Sequence, residues 1–232
     1  NIAIIPARSG SKRIKDKNIK LFLGKPIIYW TIVAAKKSKL FDKIIVSTDS
    51  KKIAEISLNY GAEVPFYRSK KLSDDKTNVS DVIRDVLKNL IKTNQRPNYA
   101  CLLYATSPLI NIKDLTNGYN KIKKKNFDFV TSVSKFDSQY FRALKIKDQR
   151  ISPKYKKHVF SRSQNLESLY FDNAQFTFGK VNSWLKNKHF FLAKTSYIEI
   201  PSFRVQDIDT PDDWKKAEII FKMINNKRKY RS

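Results

Sequence analysis

Ile2-Ala3-Ile4-Ile5-Pro6-Ala7-Arg8-Ser9-Gly10-Ser11-Lys12-Arg13 is the stretch that decides the fold. Its opening apolar run is short and rich in β-branched residues, as in a strand buried on both faces, and parallel sheets are built from such strands. The turn that follows combines small residues with cations and continues to Lys17-Asn18. Such a turn can aim backbone N–H groups at phosphate oxygens while Arg8, Lys12 and Lys17 neutralise their charge. A phosphate cradle just past the first strand is therefore expected, with a plain solvated turn as the alternative on composition alone. The spacing is neither Gly-x-Gly-x-x-Gly nor Walker A, so nothing here supports a dinucleotide enzyme or a P-loop ATPase.

Outward from that stretch, apolar strands alternate with amphipathic helices. Pro26 can occupy the first turn of a helix whose apolar side includes Ile27, Trp30, Val33 and Ala34. Lys43 to Ser47 reads as a second strand, and Ser50 caps a helix through Ile53, Ile56 and Leu58 that Gly61 ends. Ala62 to Phe66 reads as a third strand. The spacing of Val79, Val82, Ile83, Val86, Leu87 and Leu90 predicts a long helix, Tyr99 to Tyr104 a central strand, Asn111 a cap for a helix to about Lys125, and Phe127 to Val133 another strand. The pattern is α/β: a mainly parallel sheet with helices on both faces.

Beyond Ser134 the alternation stops. Residues 135–170, with turns at Asp148-Gln149 and Ser152-Pro153, predict an inserted hairpin or arm within a single domain spanning 1–232. The core resumes near Phe171, with a strand over Asn173 to Phe178, a short helix over Lys180 to Lys186 and a strand over Tyr197 to Ile200. Thr210-Pro211-Asp212-Asp213 carries the chemistry of a helix start: a cap, a first-turn proline and acids near the positive end of the dipole.

At 232 residues and 27.1 kDa, with 41% apolar, 12% aromatic and 29% charged residues, the chain can bury a full core, which excludes a disordered or collagen-like polymer. No run approaches the roughly 18 apolar residues of a membrane span, and nothing reads as an export signal. A single cysteine, Cys101, forms neither an internal disulfide nor a cysteine zinc cage, which fits a reducing cytoplasm. Net charge is +26, enough to attract phosphate polymers. The lysines are spread over nearly every predicted helix, however, and the densest segment, Lys215 to Ser232, reads as the polar face and frayed end of a helix. No nucleic-acid recognition module is present, so no specific nucleic-acid partner is expected.

Asp207 and Asp209 stand two apart, so in extended backbone both carboxylates face one side and can approach a hard cation. The alternative is a helix cap and a surface ion pair. His158 and His189 lack zinc-ligand spacing. Cys101, Trp30 and Trp184 read as packing residues, and Phe176, Phe178, Phe190 and Phe191 either wall a sugar pocket or fill the core.

Several motifs occur together: Ile5-Pro6-Ala7-Arg8-Ser9-Gly10-Ser11-Lys12, Lys17-Asn18-Ile19, Gly24-Lys25-Pro26, Ser47-Thr48-Asp49, Gly61 to Phe66, Thr106-Ser107-Pro108 and Gln206-Asp207-Ile208-Asp209-Thr210. In that order they resemble the sialic-acid-type cytidylyltransferases, along almost the whole chain. Tyr104-Ala105-Thr106, where N-acylneuraminate enzymes have Gln-Pro-Thr, together with Arg162-Ser163-Gln164 and Gln175-Phe176, is similar to the branch that acts on pseudaminic acid.

The resemblance implies a nucleotidyltransferase (Rossmann-like) fold, CTP and a nonulosonic acid as substrates, Mg²⁺ as cofactor, and a homodimer joined through the arm. It implies that Ala7, Arg8, Ser11, Lys17 and Asn18 hold the triphosphate, that Arg68 lies against the nucleotide, and that Thr77 meets cytosine through its main chain. Tyr104, Thr106, Arg162, Gln164 and Gln175 would meet the sugar, Asp207 and Asp209 the metal, and Arg8, Lys17 and Asp209 would be catalytic. Tyr104 ends the central strand, where ligands of open α/β sheets bind, so its side chain is expected to reach the acceptor. A phenol in place of an amide suits a sugar with fewer hydroxyls; the alternative is that Tyr104 packs against Pro108 and the sheet edge and leaves the choice to Arg162, Gln164 and Gln175.

Overall fold

The computed structural model describes residues 1–136 and 138–229. Its strands are β1 (Ile2–Pro6), β2 (Leu21–Phe22), β3 (Lys25–Pro26), β4 (Lys43–Ser47), β5 (Tyr99–Leu103), β6 (Phe129–Lys135), β7 (Leu144–Lys147), β8 (Arg150–Pro153), β9 (Tyr170–Lys180) and β10 (Thr195–Glu199). Its helices are α1 (Ile27–Ser38), α2 (Lys51–Asn59), α3 (Val79–Lys92), α4 (Ile112–Lys124), α5 (Val181–Lys186) and α6 (Pro211–Lys229). Six strands form the main sheet in the order β10-β6-β9-β5-β1-β4. β1 pairs in parallel with β4 and β5, and β10 with β6, whereas β9 runs antiparallel between β5 and β6.

Alternation along the strands explains why both faces are covered. Ala3, Ile5, Cys101 and Leu103 pack with Ile28, Ile32, Ile53, Leu115 and Ile122 of α1, α2 and α4. The intervening Ile2, Ile4, Ala100 and Leu102 pack with Ile83, Val86 and Leu87 of α3 and Trp184 of α5. Burial of these two layers stabilises the fold by about 25 cal/mol per Å² of apolar surface removed from water. Gly179 of β9 makes room for them: a Cβ there would meet Trp184 and stand 2.6 Å from Phe129.

Most expected elements appear, with Ser50, Asn78 and Asn111 capping α2, α3 and α4. Four readings need correction. Ala62 to Phe66 is not a strand; it makes one parallel bridge, Glu63 to Ile45, because Pro65 lacks the donor a longer ladder needs. In α1 the buried face is Ile27, Ile28, Thr31, Ile32 and Ala35 rather than the Trp30, Val33 and Ala34 side, and Trp30 joins Phe221 at the flank, with ring centroids 4.6 Å apart. Leu58 is exposed. Ser152-Pro153 lies within β8, so the only turn of the β7–β8 hairpin is Asp148-Gln149, both left-handed at φ 49° and 61°.

The Thr210 start of α6 is a reciprocal capping box: the Asp213 amide donates to Thr210 Oγ1 at 3.2 Å and the Thr210 amide to Asp213 Oδ2 at 2.8 Å. α6 anchors through Trp214 and Ala217 on Ile14, Phe22, Ile27 and Ile208. The last residues of the basic tail, 230–232, lie outside the described residues.

Candidate active site

From β1 the chain reaches β4 on one side and β5 on the other, with α1 and α3 on opposite faces, and a crevice opens at such a reversal of strand order. A cleft of about 620 Å³ lies there. Into it come Arg8, Ser11, Lys12, Arg13, Lys17 and Asn18 from the loop after β1, Arg68 and Thr77 from the segment before α3, Tyr104 and Thr106 from the end of β5, and Asp209 from the approach to α6. Nine residues expected at the site from the sequence thus meet around one cavity: Arg8, Ser11, Lys17, Asn18, Arg68, Thr77, Tyr104, Thr106 and Asp209.

The basic loop is shaped by its own hydrogen bonds. Asn18 Nδ2 donates to the Arg8 carbonyl at 2.9 Å and closes the loop on itself. The amides of Ala7, Ser9 and Ser11 donate to the Ser47 carbonyl, to Asp49 Oδ1 and to the Ser9 carbonyl, so these three N–H groups are already satisfied. That corrects the expectation of an N–H cradle at these positions: the loop offers side-chain cations instead. Asp49 also accepts from Ser9 Oγ at 2.6 Å. Burial pushes its pKa up, but the Ser9 hydrogen bonds outweigh this and hold it below the ordinary carboxylate range.

Two carboxylates bracket the cations. Asp75 pairs with Arg8 at 2.5 Å and with Lys12, while Asp209 pairs with Arg13 at 2.7 Å and Lys17 at 3.2 Å. Arg68 is buried, donating through Nε to Ser47 Oγ at 3.1 Å and through its guanidinium to the Ser47 carbonyl. Burial lowers its pKa to about 10, so it stays a cation at neutral pH, fixed to the end of β4. Thr77 donates from its amide and hydroxyl to Asp74 Oδ1 at 2.7 and 2.6 Å, which shapes the turn entering α3.

Tyr104 lines the cleft, but most of its side chain is buried, and that burial, then the charges of Asp172 and Asp207, raises its hydroxyl pKa well above normal. Its backbone is clamped on two sides. Thr31 Oγ1 donates to the Tyr104 carbonyl at 3.1 Å, and the Tyr104 amide donates to the Gln175 carbonyl at 3.3 Å. Ser107 Oγ donates to the Ala174 carbonyl at 2.7 Å. Ala174, left-handed at φ 51°, marks a bulge in β9 where the register with β6 shifts. The bulge turns Asn173 inward, where Ser132 Oγ donates to it at 2.6 Å.

Some expected residues lie elsewhere. Gln175 is buried beneath the Tyr104 wall, its Nε2 donating to the Arg204 carbonyl at 3.1 Å, and it is not among the cleft-lining residues. Arg162 is exposed on the inserted segment, and Gln164 lines a second cavity of about 410 Å³ beside Phe136, Tyr140 and Phe141. Phe176, Phe178 and Phe190 are core rather than pocket walls, because they sit on the inward faces that α3, α4 and α5 cover. Asp207 does not line the cleft either; residues 205–209 form no strand, and the intervening Ile208 is fully buried. Although Asp207 keeps an exposed edge, protein packed around its carboxyl and then the Asp209 charge raise its pKa. Asp75, Thr31 and Ser107 were not singled out as site residues from the sequence.

A doubly covered, mainly parallel sheet with a cationic loop leaving its first strand, faced by a carboxylate across the switch-point crevice, defines a nucleotidyltransferase-type α/β protein. A structure of CMP:2-keto-3-deoxy-manno-octonic acid synthetase complexed with CTP superimposes with a TM-score of 0.74 over 96% of this chain and 98% of that one, at 12% identity. The family model for cytidylyltransferase matches residues 2–208, and the chain belongs to that family. It is 38% identical over 224 residues, 96% of this chain and 97% of the relative, to pseudaminic acid cytidylyltransferase of Campylobacter jejuni. It is 33% identical over 96% of both chains to CMP-N,N'-diacetyllegionaminic acid synthase of Legionella pneumophila.

Proposed function

We propose that the chain transfers CMP from CTP to the anomeric hydroxyl of pseudaminic acid, giving CMP-pseudaminic acid and pyrophosphate. The observation that carries this reading is the meeting of Arg8, Lys12, Arg13 and Lys17 with the Tyr104 wall and Asp209 in one cleft. The near full-length likeness to a pseudaminic acid cytidylyltransferase supports the choice of acceptor. In the reaction the anomeric oxygen bonds to the α-phosphorus, the bond to the bridging oxygen of pyrophosphate breaks, and the hydroxyl proton is released.

An anionic phosphoryl centre repels its nucleophile, so the step needs charge neutralisation and in-line placement rather than a covalent intermediate. Arg8 and Lys17 supply positive charge, and Ser11 and Asn18 line the same wall. Arg68, fixed to β4, would lie against the nucleotide, with Thr77 beside the base. Asp209 brings into the cleft an anionic oxygen, the donor type Mg²⁺ takes, and Asp207, outside the cleft lining but near enough to feel the Asp209 charge, is the second candidate ligand. When bound, Mg²⁺ would draw negative charge from the phosphoryl oxygens and leaving pyrophosphate.

The inserted arm supports a homodimer. Leu144, Ile146 and Ile151 lie exposed on one face of the β7–β8 hairpin, and Phe160 is 98% exposed. Arg162 and Gln164, carried by the same segment away from the cleft, would meet a sugar in a partner's cleft. The buried thiol of Cys101 and the use of CTP suit the cytoplasm.

Pyrophosphate release measured with each nucleoside triphosphate against a panel of nonulosonic acids tests the reading. Activity is expected with CTP, and kcat/KM is expected to be highest for pseudaminic acid. A higher value for N,N'-diacetyllegionaminic or N-acetylneuraminic acid would reassign the acceptor, and no activity with CTP would overturn the reaction.

A further inference from the structure

The two cations at the mouth of the basic loop are occupied by a residue that the reaction does not use. Asp75 reaches across from the segment before α3 and bridges Arg8, at 2.5 Å, and Lys12. Its neighbour Asp74 does something different: it accepts from the amides of Lys76 and Thr77 and from the Thr77 hydroxyl, and so builds the turn. Among the described residues the division of labour leaves the Asp75 carboxylate held by cations of the opposite wall alone, which keep it below the ordinary range and hence ionised.

We propose that Asp75 is the positioning residue that sets the affinity of the polyphosphate subsite, standing in the phosphate position and returning to Arg8 and Lys12 as pyrophosphate leaves. This rests on reading the basic loop as the triphosphate site. A triphosphate or pyrophosphate carries more charge than one carboxylate and can take both cations at once, so it displaces Asp75 at the cost of two exposed ion pairs. Such pairs are individually weak, and their loss is readily repaid. The same pairs re-form when the product leaves, which favours release. Without Asp75 the cations would face water between turnovers and grip pyrophosphate more tightly, so product inhibition would deepen.

Calorimetric titration of the full chain with inorganic pyrophosphate and with CTP tests this. Asp75→Asn is expected to bind both about threefold to tenfold more tightly, the range two exposed ion pairs allow, and to lower the inhibition constant of pyrophosphate in turnover by a similar factor. A merely structural role would weaken binding instead. Asp74→Asn removes the same charge from the same loop without touching Arg8 or Lys12, and is expected to leave affinity unchanged or weaker. Arg8→Ala is expected to weaken pyrophosphate binding at least tenfold. If Asp75→Asn binds no more tightly than the wild type while Arg8→Ala weakens binding, the role of Asp75 is refuted and the triphosphate site stands. Equal tightening by Asp74→Asn also refutes it, since charge alone would then explain the gain. If Arg8→Ala leaves binding intact, or the wild type binds no pyrophosphate, the loop is not the triphosphate site and both fail.

Discussion

The Arg8 and Lys17 side chains make their ion pairs with carboxylates that are themselves partly exposed, Asp75 and Asp209. Replacing either cation should therefore cost little stability while removing charge where the triphosphate is expected. Arg8→Ala and Lys17→Ala are each expected to lower turnover about 100-fold with melting temperature nearly unchanged, measured by steady-state kinetics beside thermal unfolding. Tyr104→Gln is expected to narrow the preference for pseudaminic over N-acetylneuraminic acid, read as the ratio of the two kcat/KM values. An unchanged ratio would leave acceptor choice to other residues. The cationic and hydroxyl groups of the cleft were legible because they lie within short motifs beside predicted strand ends. Asp75 and Thr31 were not, because each acts on residues far along the chain; Thr31, for example, holds a carbonyl 73 residues away. The bulge of β9 was equally hidden, since Ala174 gives no sign of a left-handed conformation.

Among the elements, those with a cap or a clear apolar period were readable: α4 begins where Asn111 predicts, and α3 follows the period of Val79 to Leu90. Periodicity failed where neighbours outside the sheet compete. α1 carries apolar residues on two sides, one for the sheet and one for α6, so its sequence alone does not say which faces the core. Gly179 offers a direct check on β9. Gly179→Ala is expected to destabilise by about 1–3 kcal/mol in chemical denaturation, because a methyl group there displaces Trp184 or Phe129. The α6 cap gives a second check. Thr210→Ala is expected to cost about 1 kcal/mol. Hydrogen bonding from Thr210 lowers the Asp213 pKa in the folded chain, so that stabilisation is full above about pH 4. It is lost as pH falls through the lower folded value. The stability difference between wild type and Thr210→Ala should therefore shrink in acid, and a difference independent of pH would exclude this coupling.

For the molecule as a whole, the parallel character, the two helical layers and the inserted hairpin were all legible, because each follows from patterning along a continuous segment. The insertion of β9 between β5 and β6 was not, since strand order depends on pairings far apart in sequence. The charge of +26 is distributed over many lysines, so retention on DNA or heparin is expected to be independent of base sequence and largely lost by physiological salt in an elution series. Sequence-selective retention at that salt would require a nucleic-acid partner. The late position of β9 also has a cost during synthesis. Once residue 103 has been made, β4, β1 and β5 can associate, but the open edge of β5 must wait for residues 170–180, and β6 and β10 join the sheet only through them. At roughly 5–20 residues per second, that edge stays uncovered on the nascent chain for about 4 to 15 s, a window in which chaperones would be needed. A chain ending before Lys180 would leave the β5 edge uncovered and is expected to aggregate rather than give a smaller soluble domain.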